Sequence, residues 1–91
     1  MVRLKDLNTN AILLWWAQAY LTTPKPLDQV IIRARLAQVD PADLKVGKLR
    51  RHIPPLLRAR GLLPHNRPPT SRDYQMAAET FLKRWYDQDL N

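Results

Sequence analysis

Ninety-one residues, 45% of them hydrophobic and none of them cysteine, describe one small folded domain and exclude both a disulfide framework and a thiolate metal site. Fifteen Lys/Arg against eight Asp/Glu give a formal charge of +7, and it is unevenly placed: residues 1–32 carry a net +1, residues 33–72 hold ten basic and two acidic residues for +8, and residues 73–91 carry −2. A segment this basic calls for a polyanionic partner, nucleic acid first and an anionic membrane surface or acidic protein second, against the plain alternative of a solvated basic surface.

β-Branched alternation is almost absent, and eight prolines with two glycines punctuate the chain. The pattern predicts an all-α protein, a compact bundle of four to five helices forming a single domain over 1–91, with loose ends at about 1–7 and 88–91. Asn8 is a good N-cap for a first helix over about 9–21, which "TTPKP" ends. From Ala11 to Leu21 only Gln18 is polar, so this helix is expected at the centre of the core or in a dimer interface. Trp15 and Trp16 project about 100° apart. Core packing is the favoured role for them, and Leu14, Trp15 and Trp16 are the candidates for an oligomer or partner face. Arg3 and Lys5 before the apolar run mimic a signal peptide, but Asp6 breaks the basic stretch and no small-residue cleavage site follows. Eleven residues reach only about half the hydrocarbon thickness of a bilayer. No membrane span is expected, and the absence of cysteine fits a cytoplasmic protein.

A second helix is predicted over about 26–38, with Pro26 in its first turn and Asp28 favourable to the positive end of the helix dipole. Val30, Ile31, Ala34 and either Leu36 or Ala37 are expected to form its buried stripe, leaving Arg33 and Arg35 facing solvent or a ligand. "DPAD" opens a third helix, with Asp40 as cap, Pro41 in the first turn and Asp43 three residues after the cap. Both carboxylates thereby have structural roles. Ile53 and Pro54 each precede a proline and are pushed away from helical geometry. The stretch "KVGKLRRHIPPLLRARGLLP" (45–64) is therefore read as two pieces. One ends near His52, and another starts at Pro54 or Pro55 and stops at Gly61, where Arg58 and Arg60 suit the helix C-terminus. "LPHNRPPTSR" (63–72) reads as a proline-rich basic loop, and "TSRD" as a capping box opening a last helix over about 71–88. Tyr74, Ala77, Ala78, Phe81, Leu82 and Trp85 follow helical spacing as a core stripe.

No catalytic constellation emerges. His52 and His65 lack a partner at metal-ligand spacing, Ser71 is the only serine and sits at a helix start, and there is no glycine-rich phosphate loop. The expectation is a protein that is not an enzyme, with no metal and no cofactor.

The order helix, helix, turn, helix, "RGLL", basic loop, helix resembles a helix-turn-helix or winged-helix DNA-binding domain over residues 26–70. "LDQVIIRARLAQV" stands as the helix before the turn, "VGKLRRHIPPLLRARGLL" as the reading helix with its closing strand and "PHNRPP" as the wing. The resemblance implies that the 44–60 region enters a major groove of duplex DNA with Lys45, Lys48, Arg50 and Arg51 as contacts, while Arg67 or Arg72 reaches phosphate. Arg33 and Arg35 complete the candidate nucleic-acid-binding set. The alternatives are RNA or a ribonucleoprotein, and a non-enzymatic adaptor whose basic face meets an acidic protein and whose first helix dimerises or docks.

Overall fold

The computed structural model describes residues 1–89, and among them the fold is all-α. Four helices follow one another: α1 (Thr9–Thr22), α2 (Pro26–Leu36), α3 (Val46–Ala59) and α4 (Ser71–Asp89), with 3₁₀ turns at Leu4–Asp6 and Pro41–Asp43. The expected loose end at 88–91 falls partly outside the described residues, since Leu90 and Asn91 are not among them.

The apolar α1 occupies the centre and packs most extensively on α2 and α4, burying Ile12, Leu13, Trp16, Ala17 and Ala19. Its start is fixed as the sequence predicts, with the Asn8 carboxamide oxygen accepting from the amides of Asn10 and Ala11. At α4 the capping box is reciprocal. The Thr70 hydroxyl accepts from the Asp73 amide at 3.2 Å, and the Asp73 carboxylate accepts from the Thr70 amide at 2.8 Å. Ala77, Ala78 and Phe81 from α4 then enter the core.

The N-terminal segment, where the sequence suggested a loose end, is tied down. Val2 forms a parallel bridge to Val39, its amide donating to Gln38 and its carbonyl accepting from Asp40, and Leu4 is buried. Helix α2 stops at Leu36, two residues early. Gln38 takes a left-handed φ of 63°, which lets its own amide reach the Arg35 carbonyl and the Val39 amide reach that of Ala34. This is the double hydrogen bond of a Schellman ending, with glutamine where glycine is usual. The same pair of bonds closes α3 around Gly61 at φ 71°, from Leu62 to Leu57 and from Gly61 to Arg58.

Two expectations for the centre of the chain are corrected. "DPAD" forms only the 3₁₀ turn Pro41–Asp43, and the helix begins at Val46. From there α3 runs unbroken to Ala59 with Pro54 and Pro55 inside it, one helix rather than two. The cause is burial. Leu49, Ile53 and Leu57, at i, i+4 and i+8, are at most 2% exposed. Keeping all three in the core requires a continuous helical path across the prolines, and fully burying each such side chain is worth about 1.5–3 kcal/mol. The cost remains, because neither proline can donate to the carbonyl four residues before it, Arg50 and Arg51 respectively.

Pro55 is exposed and has no packing to lose. Pro55→Ala is expected to stabilise the protein, by about 1–3 kcal/mol from the restored helical hydrogen bond and relieved ring clash, less the entropy that proline removes from the unfolded chain. Urea denaturation followed by far-UV circular dichroism measures it, and a fall in stability would contradict the account.

Candidate nucleic-acid interface

Helix α3 carries no acidic residue, and its solvent side presents Gly47, Arg50, Arg51, Pro55 and Ala59, with Lys45 at the N-cap position. Arg50 and Arg51 are exposed, and neither has an ion-pair partner among the described residues. Being adjacent, they project about 100° apart around the helix and so serve different flanks. Arg50 borders two concavities toward the start of α2. One is apolar, of about 260 Å³, over Trp16, Leu27 and Tyr74, and the other is of about 440 Å³, containing Lys25 and Asp28. Arg51 borders an open concavity of about 420 Å³ on the other flank, with Arg3, Lys5, Lys48 and His52 around Asp43.

That second flank is organised by Asp43, only 4% exposed. Arg3 donates to its carboxylate from Nε at 2.9 Å and Nη2 at 3.2 Å, the Leu4 amide donates at 3.0 Å, and Lys48 Nζ donates at 3.0 Å. Asp43 is thus a clamp joining the N-terminal turn to α3, not the helix-start residue expected from its spacing. The hydrogen bonds from Arg3, Leu4 and Lys48 hold its carboxyl well below the usual carboxylate range, against the opposing effect of burial. Arg3 uses two of its five N–H donors and Lys48 one of its three, so both retain donors for a ligand. His52 is half-buried, and that burial pushes its imidazole below its ordinary value of 6.5, with Asp43 pulling the other way.

The structure brings Lys48 and Arg51 together with Arg3, Lys5 and His52, none of which was selected from the sequence. Forty residues separate Arg3 from Asp43, and no local pattern announces the pairing. It disperses others. Arg33 lines a separate concavity with Trp15, Gln18 and Gln29, while Arg35 is exposed on α2. Arg67, expected at phosphate, is held in a two-pronged pair by Asp73, Nη1 to Oδ2 at 2.6 Å and Nη2 to Oδ1 at 3.0 Å. Arg72 stays exposed at the start of α4. Of the three candidates for a partner face on α1, one is taken up by the core. Trp16 lies in the core against Tyr20 and Tyr74, at centroid distances of 5.3 and 6.2 Å, and Leu14 and Trp15 are half-buried. The exposed large apolar side chains include Leu21 near the end of α1 and, more exposed, Ile32 (48%) and Leu36 (79%) on α2, where Leu36 was one expected candidate for the buried stripe.

No family model, curated protein or solved structure matches the chain. No helix among the described residues is long and apolar enough to cross a membrane.

Because the folded Asp43 has a depressed pKa, its contribution to stability is complete above its ordinary value of 3.8 and drains away as pH falls below it. Asp73, lowered chiefly by its hydrogen bond from Arg67, acts in the same direction. Asp43→Asn is expected to be less stable than the parent at neutral pH and to lose stability less steeply in acid. Denaturant titrations in a pH series down to about pH 2 compare the two, and parallel acid limbs would remove Asp43 from this role.

Proposed function

We propose that the protein binds nucleic acid, duplex DNA in the first instance, by laying the exposed face of α3 against the phosphate backbone. The observation that carries this reading is the pair Arg50 and Arg51. Both are exposed, neither has an ion-pair partner among the described residues, and each heads a different flank of one continuous helix. Two flanks of positive charge about a single helix suit the two rims of a groove, with Lys5, Lys48 and Arg3 on one side and Lys25 on the other. Neutralising phosphates releases condensed counterions, so affinity should fall steeply with salt.

In this reading α2 and α3 take the parts of the supporting and reading helices of a helix-turn-helix. They do so across a connection of nine residues, 37–45, where that motif uses three or four. Phosphate contacts fix position and carry little sequence information. The reading therefore favours sequence-tolerant binding over recognition of one operator.

The experiment is a fluorescence-anisotropy titration of duplex DNA and of single-stranded RNA at two salt concentrations. The parent should bind duplex with a steep salt slope. Arg50→Glu/Arg51→Glu should lose at least about tenfold in affinity, corresponding to about 1.4 kcal/mol, and should show a salt slope shallower by about two units. No binding to duplex at low salt sinks the proposal, and a clear preference for RNA replaces it with the RNA reading.

A further inference from the structure

The cavity of about 260 Å³ beside Arg50 has a character that phosphate binding does not require. Its floor is aromatic: Trp16, Tyr20 and Tyr74 form a closed triangle with centroid distances of 5.3, 6.2 and 6.2 Å. Leu27, Ile53 and Pro54 make the walls. The Tyr20 hydroxyl is already engaged, donating to the Ser71 carbonyl at 3.2 Å. The single cation in the lining is Arg50, at the rim, and no acid lines the cavity. The nearest acid bordering the adjoining concavity, Asp28, shares it with Lys25, so formal charge on that side balances without Arg50.

We propose that this cavity binds a small flat aromatic monocarboxylate, with the ring system against Tyr20, Tyr74 and Leu27 and the carboxylate paired with Arg50. Three features select that chemistry. A mostly apolar lining with a few convergent polar groups and a single charge is the usual build of a small-molecule site. A lone guanidinium offers two parallel N–H donors, the geometry that a carboxylate matches, and one positive charge is balanced by one negative charge. The floor and one wall are already fixed, since Trp16 and Ile53 are core residues of α1 and α3, so little ordering opposes entry. The site stands on its own lining rather than on nucleic-acid binding, but it shares Arg50 with that face. A bound carboxylate would neutralise one of the two arginines and weaken polyanion binding, and by linkage the polyanion would weaken the carboxylate to the same degree.

The test uses the full chain with 2-naphthoate and its neutral analogue 2-naphthamide, followed by calorimetry and by NMR shifts of the Leu27 and Tyr74 signals. Naphthoate should bind at least tenfold more tightly than the amide. Arg50→Gln, a change at an exposed position, should abolish that difference, and Leu27→Glu should weaken both ligands. Equal affinity for acid and amide, an acid preference that survives Arg50→Gln, or shifts that bypass Leu27 and Tyr74 would each overturn the proposal. So would the absence of naphthoate binding together with protection of the cavity by a single-stranded oligonucleotide, which would make the occupant an unpaired base. None of the naphthoate measurements contains DNA, so a protein that ignores duplex yet discriminates acid from amide through Arg50 disproves the nucleic-acid reading while upholding this one.

Discussion

A carboxylate withdrawn from water must have its lone pairs filled by donors, and Asp43 meets that demand from three places in the chain at once. Arg3 supplies two bonds, the Leu4 amide one and Lys48 one. A buried ion pair adds little net stability over a well-packed apolar substitute, but removing one partner strands the other. The clamp is therefore best understood by what it positions. It draws the N-terminal turn against the first turns of α3, where the Val2–Val39 bridge and the buried Leu4 hold the same segment from the other side. Asp43 adds one negative charge to the basic flank and in return fixes two cations there.

The second constraint is the burial of Leu49, Ile53 and Leu57. A proline pair inside a helix, at about 3 kcal/mol or more each, and two residues pushed away from helical geometry are local penalties. Three large aliphatic side chains lodged in one core are a cooperative gain of about 1.5–3 kcal/mol each, and an unbroken helix places all three on one stripe. The result is that Arg50 and Arg51 sit on one continuous helix, about 100° apart, which two separate short helices would not guarantee.

What could be read from the sequence follows from how far each interaction reaches. Asn8, Pro26 and the Thr70–Asp73 box act within three residues, and their roles were legible together with the all-α class and the core stripe of α4. The left-handed Gln38 was not, since glutamine gives no signal for that conformation. The continuity of α3 was hidden because the pre-proline rule is visible locally while the competing burial is tertiary. Two partnerships were hidden from local spacing: Asp43 meets Arg3 forty residues away, and Arg67 meets Asp73 six residues away. Local spacing showed which residues were basic, and the folded chain determined which of them kept their charge available to a ligand.

The basic stretch 45–64 owes its form to everything around it. Lys45 gives no side-chain cap, two prolines interrupt its hydrogen-bond ladder, and its apolar stripe has meaning only against α1 and α2. A helix of fourteen residues is marginal in water even with good propensity. Cut out as a peptide, this segment would keep its positive charges and lose the arrangement of them, along with Arg3 and Lys5. Its pattern of charge is not portable: grafted alone onto another scaffold, the segment would carry charge without shape.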